Sequence, residues 1–357
     1  DDSVITVSNV LDGFSDLRFS ADAESDTEAT LTRLVDTSTN AMTVTITGGE
    51  TVKALTLDNE ETLTITSSNS TAATITTLTS SDLATLNLTG SGNVVITNAI
   101  ATATGLTTVD ASGLIGAATV NGSASSTAIT MTSGTGAATF TGGVASDTIT
   151  GGASGDTLVG GAGADTITGG GGSDTITGGA GNDTLTGGGG ADNFVLTSAG
   201  TSNLEIITDF AISTSGTNDI IQVDTSAFGA ISDTEGDAQT ASTVGIVEYD
   251  GNNALASNAD GVSLIKATAL TYNSSTDLLT DINATNITVD GGGTAADGEN
   301  ILATFYDVDG GFMSVGTITS NDSSGLFDDQ VTYTENARVT MSSATYANFD
   351  TDNIDII

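Results

Sequence analysis

Apolar residues in this chain recur in doublets, one residue apart, and the doublets themselves recur. Between 44 and 141 they fall as Leu55-x-Leu57 and Leu63-x-Ile65, Leu86-x-Leu88 and Val94-x-Ile96, Val109-x-Ala111 and Ala118-x-Val120, then Ile129-x-Met131 and Ala138-x-Phe140. Alternation of this kind sends every second side chain to one face, which reads as a short half-buried strand. The leading doublets start at 55, 86, 109 and 129, spacings of 31, 23 and 20 residues. From Ile129 to Ile149 is 20 again, after which the spacing settles at 18. A shrinking period predicts one continuous β-solenoid whose coils tighten along the chain. A Thr- and Ser-rich disordered stalk is the competing reading, and the paired apolar strands argue against it.

The pattern is strictest from Gly142 to Val195. Six nonapeptides follow without a gap: GGVASDTIT, GGASGDTLV, GGAGADTIT, GGGGSDTIT, GGAGNDTLT and GGGGADNFV. Aspartate recurs as Asp147, Asp156, Asp165, Asp174, Asp183 and Asp192, and two residues after each comes Ile149, Leu158, Ile167, Ile176, Leu185 or Phe194. A generic glycine-rich linker holds neither register. The glycine-rich hexapeptides predict turns that only Gly follows easily, and the three residues between turns predict strands with the apolar side chain inward.

This block resembles GGxGxDxUx, the repeat of the RTX family, over 54 residues. The resemblance implies a right-handed parallel β-roll with two nonapeptides per coil. Coils then stack at strand spacing, about 4.8 Å, with Asp147, Asp165 and Asp183 along one edge and Asp156, Asp174 and Asp192 along the other. Carboxylates ~5 Å apart repel by roughly 3 kcal/mol per neighbouring pair at an effective dielectric near 20. Such a ladder needs a cation between its rungs. Carboxylate and carbonyl oxygens in a flexible geometry favour Ca²⁺. The expected ligands are the six aspartates and the backbone of the turn glycines Gly143, Gly152, Gly161, Gly163, Gly170, Gly172, Gly179, Gly181, Gly188 and Gly190. About four ions between alternate copies would make the roll fold around calcium, with further ions at its end and at subunit contacts. The first two copies depart from the motif, since Ala145 and Ser154 stand at the fourth position.

The next segment, 196–239, resembles the flank that closes RTX rolls, through Phe194, Asp209-Phe210 and Asp219-Ile220. A solenoid end exposes an open strand edge, so a cap is expected there. By that resemblance Asp209 completes a terminal calcium site; a solvated turn carboxylate is the plain alternative. Residues 240–357 lose the repeat and show period-2 strands, Ile301 to Tyr306 and Phe312 to Ile318. Asp307-Val-Asp-Gly-Gly311 between them opens like an EF-hand loop, but Phe312 stands where that loop needs Gly, so a hairpin turn is expected. The terminal Asp352-Asn-Ile-Asp-Ile-Ile357 is similar to the uncleaved secretion signals of RTX proteins, which implies type I export.

Composition then narrows the function. Asp and Glu number 45 against 5 Lys and Arg, a net charge of −40. Nucleic acid and anionic membranes need basic patches and are excluded as partners. The chain has no Cys, hence no disulfide, and no run long and apolar enough for a membrane span. It begins at Asp1, which suggests a processed or trimmed part of a longer protein. Without His there is neither a HExxH zinc site nor a Ser-His triad. A polysaccharide-modifying β-helix enzyme would want His, Arg or Lys at the sugar, and 44–141 offers only Lys53. No enzymatic activity and no catalytic residue is therefore expected.

The Thr- and Ala-rich solenoid followed by an RTX block looks like the C-terminal part of bacterial surface-layer proteins, most closely over Leu106-Thr-Thr-Val-Asp-Ala-Ser-Gly-Leu114. The expected fold is all-β. An N-terminal segment (1–43) precedes an irregular parallel solenoid (44–141), the calcium roll (142–195), a capping flank (196–239) and a C-terminal antiparallel β domain (240–357). The expected role is an extracellular, calcium-dependent coat that assembles with itself, cell-surface polysaccharide being a further candidate partner. An RTX adhesin or filament subunit is the alternative. Acidic groups outside the ladders, Asp58, Glu60 and Glu61 or Asp322, Asp328 and Asp329, are candidates for calcium shared between subunits, plain solvation being the other reading.

Overall fold

The computed structural model describes residues 4–10, 15–19, 27–33, 40–47, 51–68, 72–100, 105–197, 202–212 and 218–224. Beyond these it describes 246–249, 264–272, 287–288, 300–307, 311–320, 326–327, 331–341, 346, 349 and 354–356. The chain divides into two compact units, Asp1–Gly178 and Gly179–Ile357.

In the first unit the strands alternate between two parallel sheets. One holds Val4–Val10, Thr27–Arg33, Thr51–Asp58, Ala73–Thr79, Val94–Ile96, Ala118–Asn121, Ala138–Thr141 and Thr157–Ala162. The other holds Asp16–Phe19, Ala41–Ile46, Thr62–Ser67, Thr85–Gly90, Thr108–Leu114, Thr130–Thr132, Thr148–Thr150 and Thr166–Gly171. Each strand pairs in parallel with the strand after next, which is a β-solenoid, and the parallel pairing reaches back to Val4.

The core is a set of stacked apolar columns. Leu63, Leu86, Val109, Met131, Ile149 and Ile167 lie in register on successive coils, and each is fully buried. A side chain buried this way contributes about 1.5–3 kcal/mol. The outward positions form matching columns of threonine, Thr62, Thr85, Thr108, Thr130, Thr148 and Thr166. Their branched side chains are stiff on a pleated surface, and Thr66 and Thr89 share a 2.9 Å hydroxyl hydrogen bond across coils.

These registers correct the spacing read from the sequence. The coil steps by 23, 23, 22, 18 and 18 residues down the Leu63–Ile167 column. Leu55 pairs with Leu78 on the opposite sheet, so the distance from Leu55 to Leu86 is not one coil. The pattern passed over Ala41–Ile46 and Ala73–Thr79, and missing a strand merges half-coils. The tightening is therefore abrupt, at Met131 to Ile149. The roll strands also outrun the expected three residues. Thr157–Ala162 and Thr166–Gly171 have six each, because turn peptides pair with the previous coil, as Ala162 N–H does with Gly143 O at 3.0 Å.

In the second unit, Thr184–Gly189 pairs in parallel with Glu205–Ile207, which pairs in parallel with Val331–Thr340. From there the sheet continues antiparallel through Phe312–Ser320 to Asn300–Asp307, then parallel to Leu264–Tyr272 and Ile246–Tyr249. Val331–Thr340 thus covers what would otherwise be an open edge. The expected hairpin is present: Asp307 lies opposite Phe312, and Gly311 N–H donates to Asp307 O at 2.9 Å. Asn193–Leu196, Ile220–Val223 and Ile354–Ile356 form the other parallel sheet, so the C-terminal residues are a strand. Phe194, Phe210 and Phe349 are buried in sequence, ring centroids 6.1 and 6.2 Å apart.

Candidate metal centre

Each aspartate of the repeat stands two residues before an inward apolar residue, so the pleat turns both the same way. Asp147, Asp156, Asp165, Asp174, Asp183 and Asp192 are all 0–2% exposed. In the first unit their carboxylates stitch the coils. Asp147 accepts from Gly143 N–H at 2.6 Å within its own turn and from Ile129 N–H at 2.7 Å in the coil before. Asp156 repeats this with Gly152 and Ala138, both at 2.6 Å. Asp165 accepts from the N–H of Asp147, and Asp174 from that of Asp156, each at 2.7 Å. Asp147 and Asp165 are thus neighbours on one edge, and Asp156 and Asp174 on the other.

Burying charge is costly unless it is paired or coordinates a metal. No Lys, Arg or His occurs between 142 and 195. Among the described residues no three acidic side chains converge on one point; the available donors are paired carboxylates and the carbonyls of the turns. An all-oxygen set of that kind suits Ca²⁺. The turns are shaped around these oxygens. A Cβ on Gly142, Gly151 or Gly160 would lie 2.3–2.4 Å from Oδ2 of Asp147, Asp156 or Asp165, and one on Gly187 would lie 2.4 Å from Oδ2 of Asp192. The residues present fit calcium.

The turn glycines divide into two groups. Gly161, Gly163, Gly170, Gly172, Gly179, Gly181, Gly188 and Gly190 have φ between 98° and 146°. Gly143 and Gly152 do not, and they are held to glycine by close backbone, since a Cβ would meet Ser125 O at 2.6 Å or Gly134 O at 2.3 Å. These are the copies with Ala145 and Ser154 at the fourth position, where a side chain keeps the backbone out of the left-handed region. Their turns differ from the later four, although Asp147 and Asp156 are placed alike.

Residues 132–167 and 168–196 match the family model of the RTX calcium-binding nonapeptide repeat, in four copies. This segment is an RTX roll. The match starts ten residues before Gly142, and the structure accounts for it. Ala138 and Ile129 stand in the registers of Asp156 and Asp147, so the coil before the roll already has its geometry without its acids. The RTX repeats make this a calcium-binding protein, and proteins carrying them are typically secreted. No curated protein matches the chain.

Beyond the RTX repeats, Asp209 is half-buried and accepts from Gly187 N–H at 2.9 Å and Gly188 N–H at 2.8 Å, closing the last glycine turn. Asp219 accepts from Asp192 N–H at 2.9 Å and Ala211 N–H at 2.6 Å. Burial pushes its carboxyl up to about 6, against the pull of those two N–H groups. Glu205 lies opposite Asp183 by the pairing of Thr184 with Ile206, and is 2% exposed. The sequence reading left Glu205 out because it sought the 18-residue period. The signal that finds it is phase, since Glu205-x-Ile207 and Asp219-x-Ile221 keep the Asp-x-apolar spacing. Upstream, Glu61 accepts from Asn40 N–H at 2.7 Å. Glu60 is fully buried and so not a surface carboxylate that a neighbouring subunit could reach. Asp322, Asp328 and Asp329 lie outside the described residues.

Proposed function

We propose that the protein is a structural component of a bacterial cell surface, exported through a type I channel, folded outside by calcium and assembled with itself into a surface-layer lattice. The observation that carries this reading is the run of buried aspartates on the RTX roll, a structure that holds its charge only in a calcium-rich medium. The solenoid of 44–141 serves as a spacer, 142–195 as the calcium-gated element, 196–239 as its cap, and 240–357 as the part bearing the export signal. The role is structural rather than catalytic.

The net charge of −40 bears on assembly. Subunits this acidic repel at short range, and monovalent salt screens that repulsion within a Debye length of about 8 Å without supplying a bridge. Calcium shared between surface carboxylates supplies both neutralisation and geometry, and a repeating heterologous contact then propagates as a sheet or filament. With calcium held just high enough to keep the roll folded, further calcium should produce ordered two-dimensional arrays on electron-microscope grids, and matched NaCl should not. One-dimensional polymers would favour a filament subunit, and a protein monomeric at millimolar calcium an adhesin.

Export gives a separate test. Because Ile354–Ile356 is a strand beside Ile220–Val223, removing Asp352 to Ile357 affects folding as well as any export signal. The readout is therefore location. The truncated chain should accumulate inside the cell, and its appearance in the medium at the normal level would refute type I export through this tail.

A further inference from the structure

The acids in register with the roll do not stop at the sixth repeat. Glu205 follows Asp183 after 22 residues and Asp219 follows Asp192 after 27, where the repeat would place the next rung after 18. The longer loops change the spacing and keep the register, and both acids are 2% exposed. Asp219 reproduces the bonding of the repeat aspartates. Its Oδ1 takes the N–H of Asp192 as that of Asp165 takes the N–H of Asp147, and its Oδ2 takes a turn N–H at Ala211 as that of Asp147 does at Gly143.

A second observation comes from the strand on the far side of Glu205. Ala337 lies opposite Glu205. One residue earlier, Asn336 stands at a β-bulge, between the pairings of Glu335 with Gly316 and of Ala337 with Val315. Its side chain is 1% exposed, and neither its Oδ1 nor its Nδ2 has a hydrogen-bond partner. A buried amide left that way costs stability unless an ion or water satisfies it. No Lys, Arg or His lies between 183 and 224, and Arg338 on the neighbouring strand is engaged with Glu335 at 2.8 Å.

We propose two calcium sites beyond the RTX repeats, one between Asp183 and Glu205 with the Asn336 amide oxygen as a further donor, and one between Asp192 and Asp219. The donors are again all oxygen, as calcium prefers. The proposal rests on the calcium reading of the roll and extends it into the flank, so that calcium also orders the segment that carries Val331–Thr340.

The test counts ions on the full chain at saturating calcium by equilibrium dialysis, with circular dichroism confirming the fold. Glu205→Gln and Asp219→Asn should each bind one ion fewer, the double variant two fewer, and the exposed Asp82→Asn none fewer. Asn336→Leu should weaken one site about tenfold, a loss of about 1.4 kcal/mol; a purely structural buried amide replaced by Leu would leave calcium affinity unchanged, which would remove Asn336 from the site. Because a variant can fail to fold, the wild-type protein is also crystallised in calcium and its anomalous density recorded. Peaks at both flank pairs support the proposal. Peaks between Asp147 and Asp165 with none at Glu205 or Asp219 overturn it alone, whereas no peak anywhere overturns the calcium reading of the roll itself.

Discussion

Chelation should unfold the RTX roll. In excess EDTA the far-UV β signal from 142–195 should be lost, amide hydrogens of Thr148–Thr150, Thr157–Ala162 and Thr166–Gly171 should exchange freely, and added calcium should restore both. The reason is the stacking of Asp147 on Asp165 and of Asp156 on Asp174, all 1–2% exposed. Each neighbouring pair repels by roughly 3 kcal/mol at an effective dielectric near 20. The apolar core opposing this is thin, one Ile or Leu per nonapeptide. A ligand at about 100 times its dissociation constant adds ~2.7 kcal/mol per site, so two such sites contribute about 5 kcal/mol, comparable with the ~5–15 kcal/mol stability of a whole domain. Magnesium should rescue poorly, because it demands a tighter octahedral shell and gives up water reluctantly. Protection of these amides unchanged by EDTA would show that the hydrogen bonds from Ile129, Ala138, Gly143 and Gly152 suffice without metal.

The second large effect separates two adjacent glycines. Gly172 has φ +108°, and a Cβ there would lie 2.5 Å from Gly155 N and from Ser154 C. Gly171, one residue earlier, has ordinary φ, and the nearest atom to its added Cβ is Ala153 Cα at 3.7 Å. Gly172→Ala combines left-handed strain with overpacking against backbone, each about 1–3 kcal/mol. It should raise the calcium needed for half-folding by at least about tenfold and lower the melting temperature. Gly171→Ala should change stability by less than ~0.5 kcal/mol. Calcium titrations followed by circular dichroism measure both, and equal shifts in the two variants would sink the turn geometry described above. The repeats themselves are consistent with it, since the third position already holds Val144, Ala153, Ala162 and Ala180.

The roll was legible because its information is local and periodic. Asp and the apolar residue two on share a face by the pleat alone, and an exact spacing brings each onto its counterpart in the next coil. The upstream solenoid was half-legible. Its strands were found, but their assignment to sheets was not, because the coil length varies and Leu55 and Leu86 look alike without knowledge of Ala73–Thr79 between them. The hairpin at Asp307 to Phe312 followed from its flanking period-2 strands.

From the sequence alone came the all-β class, the six-copy repeat, the acid ladder and the oxygen-donor chemistry that selects calcium, since each depends only on residue type and regular spacing. Only the tertiary structure decided that Glu60 is buried, that the turns of the first two copies differ from the later four, and that Asp209 closes a turn. It alone placed Glu205 and Asp219 in register behind Asp183 and Asp192, and Asn336 at the bulge before Ala337. Those placements depend on loops of unequal length and on pairing between strands more than a hundred residues apart, as between Glu205 and Ala337. Such register is set by which apolar faces can be buried together, a condition that no spacing in the chain records.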